Sequence, residues 1–309
     1  MKGFIALSPP VKGVAWMLAQ TLTMCCMMLT VRFLAQDGFS GPQMVFFRGL
    51  FGLVVLLPWL FHTLRTEPAL LAPPELKLVL LRGLIAVAGV IGWFTALTGM
   101  SVSDVVAVQF TAPVIMVIGA GLVLGETVGR WRWSAVVIGF IGVIIIIRPG
   151  YIPFQPLIIG ALVSASSNAT VQLMTKHIAM RVSGAVLIFY MNILLMVVAL
   201  AFAWPDWIWP DWRQLPWLLA IGLAGTLGHI FLARAMRLAD ASLLGPVDFM
   251  RLPIAAGLGW LIFGEYSDLE TWIGAGVIFI AVLVITRREA MIAGRASRAA
   301  SRRTNGDGA

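Results

Sequence analysis

The sequence predicts an all-α membrane protein of ten transmembrane helices, arranged as two inverted five-helix repeats. Three observations predict it. The composition is too apolar for a soluble chain: 60% of the 309 residues are hydrophobic and 12% are charged, where a soluble domain carries about a quarter charged residues. The apolar residues come in blocks of membrane-spanning length. The second half of the chain also repeats the first.

The blocks are 13–34, 42–61, 78–99, 104–124, 132–148, 154–176, 183–203, 215–235, 241–263 and 270–286. Each has 17–23 residues, enough for a hydrocarbon core of about 30 Å. Turn signals separate them: Asp37–Gly38 through Gly41–Pro42, Pro73–Pro74, Pro149–Gly150 and the segment WPDWIWPDW at 204–212. That tryptophan-rich segment reads as an interfacial aromatic belt. The N-terminus is short and the block after it has no small-residue cleavage site, which predicts a retained helix rather than a cleaved signal. The longest polar piece is the tail from Arg287 to Ala309, which leaves no room for a soluble domain.

The net charge of +8 is a membrane-topology signal and not a nucleic-acid one. Arg295, Arg298, Arg302 and Arg303 stand in an Ala/Ser-rich tail, expected to be disordered beside an anionic membrane face. With the N-terminus placed in the cytoplasm, 17 Lys and Arg fall on the cytoplasmic side and only Arg32, Arg148 and Arg213 on the other. This bias predicts one orientation with both termini inside. A monomer is consistent with it, and a dual-topology dimer is not expected. Cys25 and Cys26 are adjacent, point about 100° apart on a helix, and predict neither a disulfide framework nor a metal site.

The repeat is legible without gaps over two stretches. GETVGRWRWSAVVIGFIGVIIIIR at 125–148 aligns on GEYSDLETWIGAGVIFIAVLVITR at 264–287, matching Gly125/Gly264, Glu126/Glu265, Trp133/Trp272 and Arg148/Arg287. Upstream, AGVIGWFTALTGMSVSD at 88–104 aligns on AGTLGHIFLARAMRLAD at 224–240, matching Gly89/Gly225, Gly92/Gly228 and Asp104/Asp240. Five spans is an odd number, so the second copy enters the membrane from the opposite side. Inverted repeats permit alternating access to a site near the midplane. The expected units are 12–150, 151–288 and a tail at 289–309.

Ten spans, a five-plus-five repeat, and Pro…Gly-Glu followed by a Trp-initiated helix at the end of each half resemble the drug/metabolite transporter superfamily, in the branch with two EamA-type repeats. The resemblance covers about residues 12–288. The stretch DFMRLP…FGE also resembles bacterial uptake members of the riboflavin and S-adenosylmethionine type, while the same fold carries amino-acid and drug exporters. The resemblance implies a small-molecule substrate in the cytoplasmic (inner) membrane.

Charges at a bilayer centre are rare and usually functional. Arg251, near the middle of the ninth span, and Asp248, one turn before it, form either a buried ion pair or a cavity lining that attracts an anion and an amine or proton. Pro246 and Pro253 flank them and disturb the helix. Arg48 lies a few residues into the second span; snorkelling to the headgroups is the simpler expectation, cavity lining the other. Ser164, Asn168, Gln172 and Thr175 share one face of the sixth span, with Gln20 and Thr21 at comparable depth in the first. Gln109, Asn192 and Tyr190 complete the polar candidates. Gly83, Ala86, Gly89 and Gly92, and again Gly222, Gly225 and Gly228, form ridges for close helix packing. Trp93 and His229 occupy matching repeat positions beside them and either pack or flank a planar substrate.

A secondary transporter is the leading expectation. No Gly-rich phosphate loop followed by Lys-Ser/Thr occurs, and no cofactor, metal, nucleic acid or catalytic residue is expected. An intramembrane enzyme acting on lipid-linked substrates is the alternative of another class. It would need clustered acids or histidines, whereas His62, His177 and His229 are scattered.

Overall fold

The computed structural model describes residues 9–112, 115, 130–147, 156–178, 181–238, 244, 247, 250–266, 268–280 and 283. These are all helix, turn or connection, with no strand among the described residues. The helices are α1 (Pro9–Gln36), α2 (Gly41–Thr66), α3 (Leu76–Gly99), α4 (Val102–Gln109), α5 (Arg130–Ile147), α6 (Leu157–Ile178), α7 (Gly184–Ala203), α8 (Leu215–Leu238), α9 (Arg251–Phe263) and α10 (Leu269–Ile280). Six of them, α1, α2, α3, α6, α7 and α8, are long and apolar enough to cross a membrane. The described parts of α4, α9 and α10 are shorter, and parts of the predicted spans 104–124, 241–263 and 270–286 lie outside the described residues.

Caps set the starts. Ser40, Ser101 and Ser183 precede α2, α4 and α7, and each hydroxyl accepts from the backbone N–H three residues on, satisfying one of the donors a helix start leaves orphaned. Between α1 and α2 the chain reverses at Gly38, whose φ of 90° suits glycine. The amide of Phe39 returns to the carbonyl of Leu34 at 3.2 Å. α2 runs to Thr66, past the expected end at 61 and through Pro58. In hydrocarbon a helix that stops early leaves carbonyls without partners, so losing one N–H at a proline costs less than stopping.

Packing is paired. α1 lies along α8, and α3 along α6; α2 lies along α7 and also meets α8; α3 meets α7; α4 packs on α9 and α6; α1 meets α9. Glycine makes the closest of these approaches possible, as the ridges predicted. A Cβ on Gly92 would stand 2.5 Å from the carbonyl oxygen of Gly160. One on Gly89 would stand 2.6 Å from Cβ of Ser167, and one on Gly49 2.7 Å from the carbonyl of Asn192. Gly222 sits against Phe51 and Gly52, Gly228 under the Met24 methyl, and Gly142 on Gly274 and Ile278. Small residues at these crossings let backbones approach where lipid supplies no hydrophobic drive. The apolar core runs through Met24, Met27 and Met28 of α1, Met44 and Val45 of α2, Phe94 and Leu97 of α3, and Leu195 of α7. Large apolar side chains on the outer faces, such as Val54, Leu57, Phe61 and Leu64 of α2, are exposed, as a lipid-facing surface requires.

One end of the bundle is tied by a charge pair. Gly264, at φ 67°, ends α9 and turns the chain so that Glu265 faces its neighbours. Its Oε1 accepts from Arg32 Nε at 2.9 Å, and Oε2 from the amide of Val102 at 3.0 Å. Arg32 Nη1 donates to the carbonyls of Leu97 and Thr98 at 3.3 and 2.8 Å. The carboxylate thus sits at the N-terminus of α4 and the guanidinium at the C-terminus of α3, each on the favourable end of a helix dipole. Nearby, Asp104 Oδ1 accepts from the Thr271 hydroxyl at 2.9 Å, joining α4 to α10.

The tryptophan segment divides. Trp204, Trp209 and Trp212 are exposed as a belt requires. Trp207 turns inward, with ring centroids 5.3 Å from Phe46 and 5.7 Å from Phe47.

Two stability outcomes follow. Gly92→Val overpacks the α3–α6 crossing and is expected to cost about 1–3 kcal/mol, read as a fall in the thermal midpoint of purified protein in detergent. Glu265→Gln and Arg32→Met should each cost about 2 kcal/mol, and the double variant little more than either. Full additivity in that cycle would show that the two side chains do not act together.

Candidate functional site

α6 carries its polar residues on one side, and its neighbours divide them. Advancing about 100° per residue, Ser164, Thr175, Asn168 and Gln172 span about 80° of the helix. Ser164 Oγ accepts from Gln109 Nε2 of α4 at 2.6 Å, and Thr175 Oγ1 accepts from Arg82 Nε of α3 at 2.7 Å. Asn168 and Gln172 are exposed and bond to each other at 3.2 Å. On one side of this amide pair Ser167 is buried against Gly89 of α3. On the other, Ala165 and Ala169 are buried with Ala112 and Ile115. The pair therefore lines a groove between packed neighbours and does not face lipid. On the opposite face Ser166 and Thr170 are exposed too, but their hydroxyls bond to carbonyls of their own helix, Leu162 and Ser166, which is how a membrane helix tolerates hydroxyls.

A second polar group lies where α1, α2 and α8 meet. Arg48 of α2 is 5% exposed, so it does not snorkel, contrary to the simpler expectation. Next to it in α2, Phe46 and Phe47 pack edge-on and tilted against Trp207, and Phe47 stacks on Phe51 at 6.1 Å. The guanidinium lies instead across the α8 backbone at Gly225, where a Cβ would stand 2.6 Å from Arg48 Nε. Arg48 Nη2 is 3.4 Å from His229 Nε2, one turn further along α8. Gln20 and Thr21 of α1 are buried, with Oε1 and Oγ1 unpartnered among the described residues. They stand between Met17, which packs with Ala235, and Met24, which covers Gly228 next to His229.

Arg251 opens the described helix α9, and Leu244 and Val247, earlier in the predicted span 241–263, are also helical. Pro253 falls in the first turn of α9, where its missing N–H is one that a helix start leaves unbonded anyway. The Arg251 carbonyl accepts from Cys25 Sγ at 3.9 Å, bringing α9 to α1. Asp248 and Pro246 lie outside the described residues. Trp93 packs against the main core with its ring edge-to-face on Phe94, and its Nε1 is buried and unpartnered among the described residues. Tyr190 donates to the Leu71 carbonyl at 2.5 Å. It sits with Val79, Ile178, Val182 and Val186, anchoring the 68–71 turn apart from both groups.

The candidates thus form two groups: Gln20, Arg48 and His229 with Arg251 near by, and Ser164, Asn168 and Gln172 with Gln109. Sequence reasoning ranked Asn192 low and did not single out Arg82. Asn192 is 2% exposed and packs on Gly52; the glycine opposite it was the available signal. Arg82 sits nearly two turns into α3, inside the predicted span 78–99.

Comparison with known proteins places this architecture. The EamA-like transporter family matches residues 11–148 and again 155–287. The chain is similar to a riboflavin transporter of Vibrio cholerae, 32% identical over 91% of this chain and 94% of that one. It is also similar to an S-adenosylmethionine uptake transporter of Rickettsia felis, 30% identical over 92% and 95%. A pseudopaline exporter of Pseudomonas aeruginosa is 24% identical over 80% and 86%. A crystal structure shares the fold at TM-score 0.53 and 16% identity, over 91% of this chain and 96% of that one. With two family matches spanning nearly its whole length, and relatives that are membrane transporters, the chain belongs to the EamA-like transporter family.

Proposed function

We propose that this chain is a secondary transporter of the bacterial inner membrane. It takes up a polar, partly aromatic metabolite or vitamin, riboflavin-like or S-adenosylmethionine-like, by alternating access of two inverted five-helix units at 12–150 and 151–288. The observation that carries the reading is the packing pattern. Adding five to a helix number exchanges α1·α8 with α6·α3, α2·α8 with α7·α3 and α1·α9 with α6·α4. The pairs α2·α7, α4·α9 and the Gly142–Gly274 contact of α5 with α10 map onto themselves. Two interchangeable halves around one seam are what a rocking mechanism needs.

In this reading ten helices cross the membrane, both termini are cytoplasmic, and residues 289–309 form a basic cytoplasmic tail. The Arg32–Glu265 contact then closes the external end, joining α1, α3 and α4 to the end of α9. Opening toward the outside breaks it. The substrate binds between the two polar groups, with Arg251, Asp248, Asn168, Gln172, Ser164, Trp93, His229, Arg48 and Gln20 as the candidate contacts, and Tyr190, tied to Leu71, is set aside. Similarity to the pseudopaline exporter favours a second reading, the same cycle run outward.

The test is flux in proteoliposomes loaded and diluted in both directions, with radiolabelled riboflavin and S-adenosylmethionine as probes. Saturable accumulation of one probe is expected from wild type. Arg251→Ala, at normal protein level and thermal midpoint, is expected to lower it at least tenfold, and Asn168→Leu severalfold. Undiminished flux in Arg251→Ala would remove that arginine from the pathway. Absence of flux for a panel of vitamins, nucleosides and amino acids would sink the uptake reading.

A further inference from the structure

We infer that Arg48, with His229 and Asn192, forms the seat for an anionic group, a carboxylate or phosphate, of the transported molecule. This rests on the transporter reading and adds the chemical class of its cargo. The argument begins with missing acceptors. Among the described residues no carboxylate lies within ion-pair distance of Arg48, and its Nε and Nη1 have no hydrogen-bond partner. Guanidinium has donors only, so its contact with His229 Nε2 at 3.4 Å leaves the charge of the arginine uncompensated. One turn along α2 from Arg48, Gly52 holds the side chain of Asn192, whose Nδ2 is also buried and unpartnered. Three buried N–H groups on two adjoining helices therefore point to a missing acceptor.

A buried cation without a counter-charge is costly, and the fold forces this one to stay. Arg48 is 5% exposed, so bulk water does not compensate its charge. Gly225 gives the guanidinium room that a Cβ would occupy. His229 is half-buried where Arg48 and Asn192 are buried, so an anion would enter from its side. An anion entering there meets a planar fork suited to two oxygens and an amide donor beyond it.

The experiment reads binding, not flux, on the full chain purified in detergent. Two probe pairs differ only in the anionic group: riboflavin 5′-phosphate against riboflavin, and S-adenosylmethionine against its methyl ester. Thermal-shift titration of wild type is expected to show, for at least one pair, a tenfold or greater preference for the acidic member. Arg48→Gln should bring that preference within about twofold, and Arg48→Lys should keep part of it. If Arg48→Gln does not fold, His229→Gln and Arg48→Lys carry the test, each with a severalfold weaker preference. Equal affinity within both pairs, or a preference that survives these variants, overturns the seat. If neither pair binds, acetate, citrate and inorganic phosphate are titrated at constant ionic strength; stabilisation that depends on Arg48 supports the seat, and none overturns it. Displacement of the acidic probe by phosphatidylglycerol micelles but not by inorganic phosphate would make this a lipid-headgroup site and overturn the cargo assignment. Acid preference without flux sinks the transport reading alone, and flux without acid preference sinks the seat alone.

Discussion

Water is absent from the interior of a bilayer, so every polar group carried there needs a partner inside the protein. The fold follows from that constraint. Backbone groups are satisfied within helices, serine hydroxyls close three helix starts, and exposed Ser166 and Thr170 bond to their own helix. Where helices cross, glycine lets backbones approach so closely that a single methyl group would clash, as at Gly92 on Gly160. Dispersion over those close contacts takes the place of the hydrophobic drive that lipid cannot supply.

The same constraint separates scaffold from site. Polar groups with a scaffold role have partners: Arg32 and Glu265 answer each other and two helix ends, Tyr190 answers Leu71, and Asp104 answers Thr271. Of the groups left over, Gln20, Thr21 and Arg48 collect at the α1–α2–α8 junction, while Trp93, Asn192 and Trp207 keep single N–H groups elsewhere that are unpartnered among the described residues. In a soluble protein such orphans would meet water. In a membrane bundle they mark where water or a passing molecule must come.

How much of this was legible in the sequence varied with the range of the cause. Span positions depend on local hydropathy, so each predicted block coincides with a helix to within a few residues wherever the chain is described. The glycine ridges were legible because spacing by three is itself the signal. The burial of Arg48 was not, because its neighbours Gly225 and His229 stand on a helix far along the chain. The polar face of α6 was legible as a stripe. Which of its members stay open depends on Gln109 and Arg82, which lie on other helices.

The repeat itself points to where the two halves differ. Both α2 and α7 follow a Ser cap and a Gly, and counting from those caps sets Phe46 against Phe189, Phe47 against Tyr190 and Arg48 against Met191. The alignment of α3 with α8 sets Trp93 against His229. The α2–α8 contact thus pairs an arginine with a histidine where its repeat counterpart, α7 with α3, has a methionine and a tryptophan, and those two belong to the apolar core. A scaffold that must exchange two conformations benefits from near-equal packing in each, which the shared glycines serve. A cargo with distinct polar and apolar ends needs the opposite, a site whose two sides differ. In the proposed cycle, glycines shared at Gly89/Gly225 and Gly92/Gly228 serve the first demand, and the difference at Arg48 and His229 the second. A symmetric pair of arginines would add a second uncompensated cation and leave no surface for the apolar end of the cargo.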